Sequence, residues 1–293
     1  MKNFDYSKPS SLNEAISLYA EYKDRARLLL GGTDLIVALN DGAITPDMVI
    51  DLKGIDELKR LEVDGNYLHI GAAVTFSELI DAEVVKKDFP IIWESARVVA
   101  STGVRNRATL VGNICSAVPS ADSAPSLLVR EAIVVIVNGE GEREVPIVEF
   151  FKGPRRTVLT PGDIVKEIKV PIITQKFGGS YVKLGRYEGE DLAQTGVATL
   201  ALEDKTYRVA FCAVAPTPVR AKEVEEFLKG KEITDEVIEE AIPIALKAIS
   251  PISDVRASRE YRLHASGVIF KRSLKAAFSR LNGGGPAYGR SLV

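Results

Sequence analysis

The amino-acid sequence predicts an α+β protein with two domains. At 293 residues the chain is longer than one hydrophobic core usually organises. Strand-like and helix-like segments are mixed in the first half, whereas in the second half the strands come first and the helices follow. The composition changes near residues 170–180, where Pro171 and the pair Gly178-Gly179 predict a boundary between the domains.

Composition and charge exclude several classes of function. The net charge of −2 and the pI near 5.9 provide no basic field for a nucleic-acid backbone. No run of apolar residues reaches the ~18 that a membrane-spanning helix needs, and the first residues lack the apolar segment of a signal peptide. We therefore expect a cytoplasmic protein that does not bind nucleic acid and does not span a membrane.

Residues that bind metals are few and scattered. The two cysteines, Cys115 and Cys212, are far apart in sequence, and the two histidines, His69 and His264, are single. A four-thiolate cluster or a zinc site needs more such residues at closer spacing. We expect no metal in this chain, and no pair of acid–base residues stands out as catalytic.

The first fifty residues alternate between helix and strand signals. Ser11 and Glu14 have the spacing of a capping box, followed by apolar residues on one helical face. The apolar run at 26–30 predicts a strand that ends at a glycine pair, the segment 35–40 predicts a brief helix, and 48–52 predicts another strand.

The next hundred residues continue the mixture. Residues 66–74 are typical of a strand, and Thr75 with Glu78 forms a second potential capping box. The segment 89–99 predicts a helix, and 132–147 predicts a β-hairpin with a turn that contains glycine.

Beyond the predicted boundary the pattern is simpler. Its strands are predicted at 180–187, 198–204 and 207–215, and its helices at 219–229, 234–249 and about 258–281. The last residues, 283–293, have the composition of a flexible tail.

The turn "LLLGGTDL" (28–35) indicates a site for an anion. A glycine pair directly before a helix start allows backbone N–H groups to converge on a phosphate. The alternative is a tight turn in which Gly31 and Gly32 only provide conformational freedom. A Rossmann unit is a weaker interpretation, because the third glycine of its fingerprint and its long crossover helix are missing. Asp51 lies at the spacing of the ribose-binding acid of a Rossmann unit. Because the rest of that fingerprint is missing, Asp51 is interpreted as a strand-end acid.

A second stretch, "RNRATLVGNICSAVPSADSAPSLL" (105–128), is rich in small and hydroxylated residues. Its loop Thr109 to Asn113 allows close approach of a ligand from another side. Asp122 offers a carboxylate for sugar hydroxyls, or else it caps the helix that follows; the residue pattern leaves both open. Cys115 is interpreted as a small buried residue.

Five blocks together resemble one protein family, in the same order and spacing. They are "LLLGGTDL", "RNRATLVGNICSAVPSADSAPSLL", "GEREVPIVEFFKGPRRTVLTPGDIVKEIKVP", "RVAFCAVAPTPVRAKEVEEFLKG" and "PISDVRASREYR". The sequence is similar to the FAD-binding medium subunits of molybdenum hydroxylases, the group of xanthine dehydrogenase, carbon monoxide dehydrogenase and aldehyde oxidase. The resemblance covers roughly residues 1 to 282.

The resemblance implies the fold, the cofactor and the partners. The fold is a vanillyl-alcohol-oxidase (PCMH)-type FAD-binding domain at 1–174, with α+β subdomains at about 1–55 and 56–174. A C-terminal α+β domain of antiparallel sheet and helices follows at 175–282. The cofactor is FAD, and the partners are a molybdopterin-binding large subunit and a small subunit with two [2Fe–2S] clusters.

The resemblance also implies which residues contact FAD. Without it, Lys183 is read as a solvated strand lysine. Val111 is a departure, because the family usually has glycine there, and we expect its side chain to narrow the approach to the loop. The implied residues are Leu28, Leu29, Leu30, Gly31, Gly32, Thr33, Asp34, Leu35, Val99, Ala100, Thr109, Val111, Gly112, Asn113, Asp122, Val165 and Lys183.

The function implied is electron transfer. Electrons from the clusters of a partner chain pass to FAD and then to an external acceptor, with NAD among the candidates. Two alternatives are a self-contained flavin oxidase of the same fold and a scaffolding subunit without cofactor. The oxidase often carries a covalent histidyl flavin, but His69 lies in a strand pattern away from both loops, so a covalent link is not expected.

Overall fold

The computed structural model describes residues 2–187 and 189–293. Within these ranges the strands form four sheets, of three, five, four and two strands. The three- and five-stranded sheets lie before residue 175 and the four-stranded sheet after it. No sheet includes strands from both sides of the predicted domain boundary at 174/175. The exact position of that boundary stays a prediction.

The three-stranded sheet is parallel, in the order β1 (Asp5–Ser7), β3 (Met48–Asp51), β2 (Ala26–Leu29). The connections from β1 to β2 and from β2 to β3 are therefore both crossovers. The Ser11 hydroxyl caps α1 by accepting from the Glu14 N–H. The capping box is incomplete, because the Glu14 carboxylate accepts from Ser10 instead. The elements are β1 (Asp5–Ser7), α1 (Leu12–Tyr22), a 3-10 turn (Lys23–Arg25), β2 (Ala26–Leu29), α2 (Leu35–Asn40) and β3 (Met48–Asp51).

The five-stranded sheet is antiparallel, in the order β4-β5-β10-β6-β7. Helices are inserted between β5 and β6, and the first of these, α3, begins with the complete Thr75–Glu78 capping box. The strands are β4 (Leu61–Asp64), β5 (Tyr67–Gly71), β6 (Ile133–Asn138), β7 (Gly141–Pro146) and β10 (Ile164–Pro171), with β8 (Phe151–Gly153) and β9 (Arg156–Thr157) paired separately. The helical elements are a 3-10 turn (Asp56–Leu58), α3 (Phe76–Asp81), α4 (Glu83–Asp88), α5 (Pro90–Arg97), α6 (Thr102–Arg105), α7 (Leu110–Cys115), α8 (Ser123–Val129) and α9 (Ile147–Phe150).

The four-stranded sheet is an antiparallel meander, in the order β11-β12-β13-β14. Every residue of its second strand is buried, because the strand lies between β11 and β13 and both α12 and α8 pack against it. The elements are β11 (Phe177–Leu184), β12 (Thr195–Leu202), β13 (Tyr207–Cys212), β14 (Val219–Arg220), α10 (Lys222–Leu228), α11 (Asp235–Leu246) and α12 (Arg259–Leu281).

The hydrophobic core continues across the predicted boundary. One buried cluster joins the five-stranded sheet and its helices to side chains of β11, β12 and β13, among them Tyr181 and Leu200. A second cluster lies between the four-stranded sheet and α10 to α12. The fold therefore matches the predicted α+β class, and the first of its two buried clusters is shared by both halves.

The C-terminal segment predicted as a flexible tail makes hydrogen bonds at residues 286–289. The Tyr288 hydroxyl accepts from the Gly179 N–H at 3.1 Å, and the Gly289 N–H donates to Glu94 at 2.8 Å. Arg280 donates to the carbonyls of Pro286 and Ala287. Composition alone does not reveal these hydrogen bonds to distant elements, and the flexibility of residues 283–293 stays a prediction.

The described residues include neither a membrane-spanning helix nor a cluster of metal-binding side chains. None of the helices within 2–187 and 189–293 is long and apolar enough to cross a membrane. Over the same residues, no group of three or more His, Cys, Asp or Glu side chains is placed to hold a metal ion.

Candidate functional site

A cavity of about 840 Å³ lies where the three-stranded sheet, the five-stranded sheet and β11 meet. Sixteen of the seventeen predicted site residues line it. The exception is Leu29, because consecutive residues of a strand face opposite sides and its neighbours Leu28 and Leu30 face the cavity.

The glycine pair at the end of β2 brings the two halves of the cavity wall together. A Cβ on Gly31 would lie 2.2 Å from the carbonyl oxygen of Arg107, so only glycine allows this approach. Gly32 has φ +77°, a conformation that favours glycine. The pair thus serves the tight turn and the contact between the two loops at once, and both residues still face the cavity.

The second predicted loop, Thr109 to Asn113, is instead the start of helix α7. The Thr109 hydroxyl caps this helix by accepting from the Gly112 N–H at 2.9 Å. The prediction of a loop was wrong because small residues were read as irregular backbone, although a threonine three residues before a glycine N–H can cap a helix. Val111 is 1 % exposed and belongs to the core cluster while it also lines the cavity, and the expected narrowing by its side chain stays a prediction.

A hydrogen bond joins the two loops directly. The Ser116 hydroxyl, just after α7, donates to the Asp34 carboxylate before α2 at 2.6 Å. Asp34 makes no side-chain capping bond, so its carboxylate serves the contact between loops.

Asp122 lies at the cavity wall and is held from the C-terminal sheet. Its carboxylate accepts from the Lys183 ammonium at 2.8 Å and from the Tyr181 hydroxyl at 2.7 Å. Although Asp122 precedes α8, its side chain makes no capping bond. Burial raises the pKa of Asp122, and the charge and hydrogen bond of Lys183 oppose that rise. Lys183 itself has a side chain only 9 % exposed, so the solvated interpretation is wrong.

Two cations fix the backbone of the segment that contains Val99 and Ala100. Lys183 donates to the Val98 carbonyl at 2.9 Å. Arg105 donates to the Val99 carbonyl at 2.8 Å and to the Ala100 carbonyl at 2.6 Å. Ala100 has φ +41°, which a residue with a Cβ rarely adopts, and these bonds hold it there.

Part of the remaining wall comes from β10 and the turn before it. Val165 lies in β10 beside an irregularity in its pairing with β6. Asp163, which the sequence analysis missed, also lines the cavity and accepts from Arg143, Asn138 and Thr160. Tyr181 was missed as well, although its position two residues before Lys183 on a strand places both on one face.

Three further residues have clear structural roles. Cys115 is half-buried and lines the cavity, so it is less buried than predicted, and desolvation raises the pKa of its thiol to about 12. Asp51 accepts from Tyr6 and Lys53 at the end of β3, which confirms a strand-end acid. His69 is buried beside Glu167, with Nδ1 3.1 Å from its carboxylate, and is not part of the cavity wall.

These residues fit FAD. The cavity lies within the ~300–1,000 Å³ that is usual for cofactor sites. Two turns of small residues provide backbone N–H groups for a pyrophosphate, and Gly112 leaves open a space in which a Cβ would meet only the Thr109 hydroxyl. Asp122 and Lys183 add one acceptor and one donor for the polar parts of such a ligand.

Comparison with known families covers most of the chain. Residues 2–173 match the family "FAD binding domain in molybdopterin dehydrogenase". Residues 180–277 match the family "CO dehydrogenase flavoprotein C-terminal domain".

Curated relatives match over nearly their whole length. The carbon monoxide dehydrogenase medium chain of Hydrogenophaga pseudoflava is 32% identical over 281 residues, covering 94% of this chain and 98% of the relative. The putative xanthine dehydrogenase FAD-binding subunit of Escherichia coli K12 is 30% identical, covering 95% and 97%. The glyceraldehyde dehydrogenase medium chain of Sulfolobus acidocaldarius is 31% identical, covering 93% and 97%.

Solved structures agree with these relatives. A chain of carbon monoxide dehydrogenase from Hydrogenophaga pseudoflava superimposes with a TM-score of 0.91 at 32% identity, covering 95% of this chain and 98% of that one. Quinoline 2-oxidoreductase from Pseudomonas putida 86 gives 0.89 at 28% identity, covering 97% and 99%. Together with the cavity and its two turns, these matches establish that the chain belongs to the FAD-binding medium subunits of the molybdenum hydroxylase family of oxidoreductases.

Proposed function

We propose that the chain is the electron-transfer subunit of a molybdenum hydroxylase complex. In this proposal, electrons arrive from [2Fe–2S] clusters in a small partner subunit and leave to an external acceptor such as NAD. The substrate is oxidised in a molybdopterin-binding large subunit. FAD supplies the step between carriers of one electron and an acceptor of two.

The cavity is the observation that carries this proposal. Its three buried carboxylates, Asp122, Asp163 and Asp191, are each held by a cation, Lys183, Arg143 and Arg186 respectively. The cation fixes each carboxylate in place, and the remaining lone pairs of its oxygens can accept hydrogen bonds from a ligand. The residues of the wall therefore bind and orient, which is what a relay requires of its protein.

Each group of wall residues has a role in the proposal. The turn at Gly31 to Asp34 and the first turn of α7 would hold the pyrophosphate through their N–H groups. Asp122 would accept from the hydroxyls of the sugar-like chain. Val99, Ala100, Val165 and Lys183 would contact the ring system.

The partner subunits follow from the relatives. Those described above are named as medium chains or as an FAD-binding subunit, names that imply other chains beside them. This chain spans almost their full length, so it has the extent of such a subunit.

The experiment is to compare the isolated chain with a reconstituted complex. The isolated chain should bind one FAD and show no hydroxylase activity towards purines, aldehydes, carbon monoxide or nicotinate. Co-expression with the genes beside its own should yield a complex with molybdenum, iron and FAD. Anaerobic addition of the correct substrate to that complex should bleach the flavin absorbance.

Two results would contradict the proposal. One is robust substrate oxidation by the isolated chain after metals are shown to be absent, which would favour a self-contained flavin oxidase. The other is purification of the chain without FAD under conditions where it is folded, which would favour a scaffolding role.

A further inference from the structure

We propose that Tyr181 is a positioning residue of the flavin site: its hydroxyl fixes the carboxylate of Asp122 and, through it, the ammonium of Lys183 at the cavity wall. This inference rests on the proposed role of the cavity as the FAD site. It assigns to the C-terminal half of the chain a specific task in that site.

The side chains of Tyr181, Asp122 and Lys183 are linked by hydrogen bonds. The Tyr181 hydroxyl donates to Asp122 Oδ1 at 2.7 Å, and Lys183 Nζ donates to Asp122 Oδ2 at 2.8 Å. Lys183 Nζ also donates to the carbonyl of Val98 at 2.9 Å. Each carboxylate oxygen thus has one donor from β11, so neither oxygen can rotate without losing a bond.

Tyr181 lies behind the cavity wall and does not line the cavity. It is 7 % exposed and is absent from the cavity wall, whereas Asp122 and Lys183 are both in that wall. Its backbone N–H donates to Glu94 at 3.0 Å, which fixes the strand at this residue. The hydroxyl therefore acts on a ligand only through Asp122.

The space for the hydroxyl is provided by a glycine on the neighbouring strand. Gly196 lies in β12, and a Cβ there would be 2.6 Å from the Tyr181 hydroxyl and 2.6 Å from Cys212 Sγ. Cys212 Sγ lies 3.5 Å from the same hydroxyl. A residue larger than glycine would displace the tyrosine tip while leaving its hydroxyl group in the molecule.

The Asp122 carboxylate has Lys183 as its ion-pair partner and Tyr181 as its second side-chain hydrogen-bond donor. Burial raises the pKa of Asp122, and Lys183 and then Tyr181 lower it. Burial, followed by the charge of Asp122, raises the pKa of Tyr181 well above its usual value, so the hydroxyl remains a donor. Burial also raises the pKa of Cys212 to about 12, so its thiol stays neutral. Loss of the tyrosine hydroxyl removes one of the two groups that favour the carboxylate form.

The test uses the full chain and measures the FAD dissociation constant between pH 5 and 8. For Tyr181→Phe we expect roughly tenfold weaker binding at pH 7, the effect of one hydrogen bond to a charged group. The acid side of the binding profile should move to higher pH, because Asp122 then protonates more readily. Gly196→Ala should move both quantities in the same direction, and Asp122→Asn should remove the acid side of the profile.

Tyr207→Phe is the matched control. Tyr207 is a buried tyrosine of the same sheet whose hydroxyl donates to the Lys231 carbonyl at 2.8 Å, away from the cavity. It should leave the dissociation constant and the pH profile as in the wild type, whatever it does to thermal stability.

The outcomes separate this inference from the proposed function. Absence of FAD binding by the wild-type chain would contradict the assignment of the cavity. Wild-type binding with an unchanged constant and pH profile in Tyr181→Phe and Gly196→Ala would overturn the positioning role alone. An equal change in Tyr207→Phe would also overturn it, since the effect would then be general to buried tyrosines.

Discussion

The glycines of the two turns have different physical roles. Gly31 is required by a neighbour, since its Cβ would overlap the backbone of Arg107 and Ala108. Gly112 lies inside α7 and has no left-handed φ, so its importance is steric. Its Cβ would meet only the Thr109 hydroxyl, at 2.9 Å. The first glycine joins the cavity walls, and the second keeps the space beside a helix cap free.

Gly112→Val should abolish FAD binding while the chain remains folded. The valine side chain would displace the Thr109 hydroxyl from its cap and enter the space proposed for the pyrophosphate. The lost cap should lower the free energy of unfolding by about 1 kcal/mol. Flavin absorbance of the purified chain and its thermal melting check both parts.

Gly139→Ala is the control for this substitution. Gly139 lies in the β6–β7 hairpin turn, with ordinary φ and no atom within 4 Å of the added Cβ. It should keep FAD at one per chain. If Gly112→Val also retains stoichiometric FAD, the pyrophosphate does not lie at the start of α7.

At the scale of elements, one carboxylate holds three segments beside the cavity. Asp163 precedes β10 and accepts from Asn138 and Arg143 of the β6–β7 hairpin. It also accepts from the N–H and hydroxyl of Thr160, which closes its own turn. Burial alone would raise its pKa, but Arg143, Thr160 and Asn138 outweigh burial and lower the pKa to about 2.

This depressed pKa predicts how stability depends on pH. An unfolded aspartate titrates near ~3.9, so the bonds to ionised Asp163 contribute fully above that pH. Their contribution is lost as the pH falls from there to about 2. Asp163→Asn should therefore lower the free energy of unfolding by about 1–2 kcal/mol at pH 7, and the difference from wild type should shrink towards pH 2.

Urea unfolding of both proteins at neutral and acidic pH measures this difference. Asp41→Asn is a suitable control, because Asp41 is an exposed aspartate that follows α2. Its effect should be small at every pH. A difference for Asp163→Asn that stays constant as the pH falls would show that its ionised bonds do not provide the stability.

At the scale of the whole molecule, a buried ion pair joins the two halves of the chain. Glu94 of α5 accepts from Arg280 of α12 at 2.9 Å, and both side chains are about 5 % exposed or less. Glu94 also accepts from the N–H groups of Tyr181 and Gly289. The α5 helix, β11, the end of α12 and the C-terminal segment thus meet at one carboxylate.

Removal of the Glu94 carboxylate should destabilise the folded chain, because the buried charge of Arg280 would lose its partner. Glu94→Ala should lower the free energy of unfolding by about 3–5 kcal/mol, the usual effect of breaking a buried pair on one side. The double variant Glu94→Met with Arg280→Met should recover a large part of this loss. Denaturant unfolding of the three proteins provides the comparison.

The exposed pair between Asp56 and Lys59 is the reference for this experiment. Asp56→Ala should change stability far less than Glu94→Ala, because solvent screens exposed pairs. If Glu94→Ala costs no more than this control, Glu94 does not join the two halves energetically.

Local sequence patterns determined most of the secondary structure and the position of the site. Apolar periodicity predicted strands β2, β3 and β5 and the long helix α12, because a strand or helix buries one face at a fixed spacing. The glycine pair predicted the turn at the cavity, and sixteen of the seventeen implied residues do line it. Family resemblance was needed for the identity of the ligand, since small residues alone favour many anions.

Only the tertiary structure decided which distant groups meet. Tyr181 and Lys183 bind Asp122 across 59 and 61 residues, and Gly289 binds Glu94 across 195. No local pattern encodes such pairs, because they depend on how two sheets and their helices pack against one another. Likewise, Gly31 was identified as a turn glycine, but the backbone of Arg107 that requires it lies on another element. The sequence determines the local conformation of each segment, and tertiary packing determines which segments contact one another.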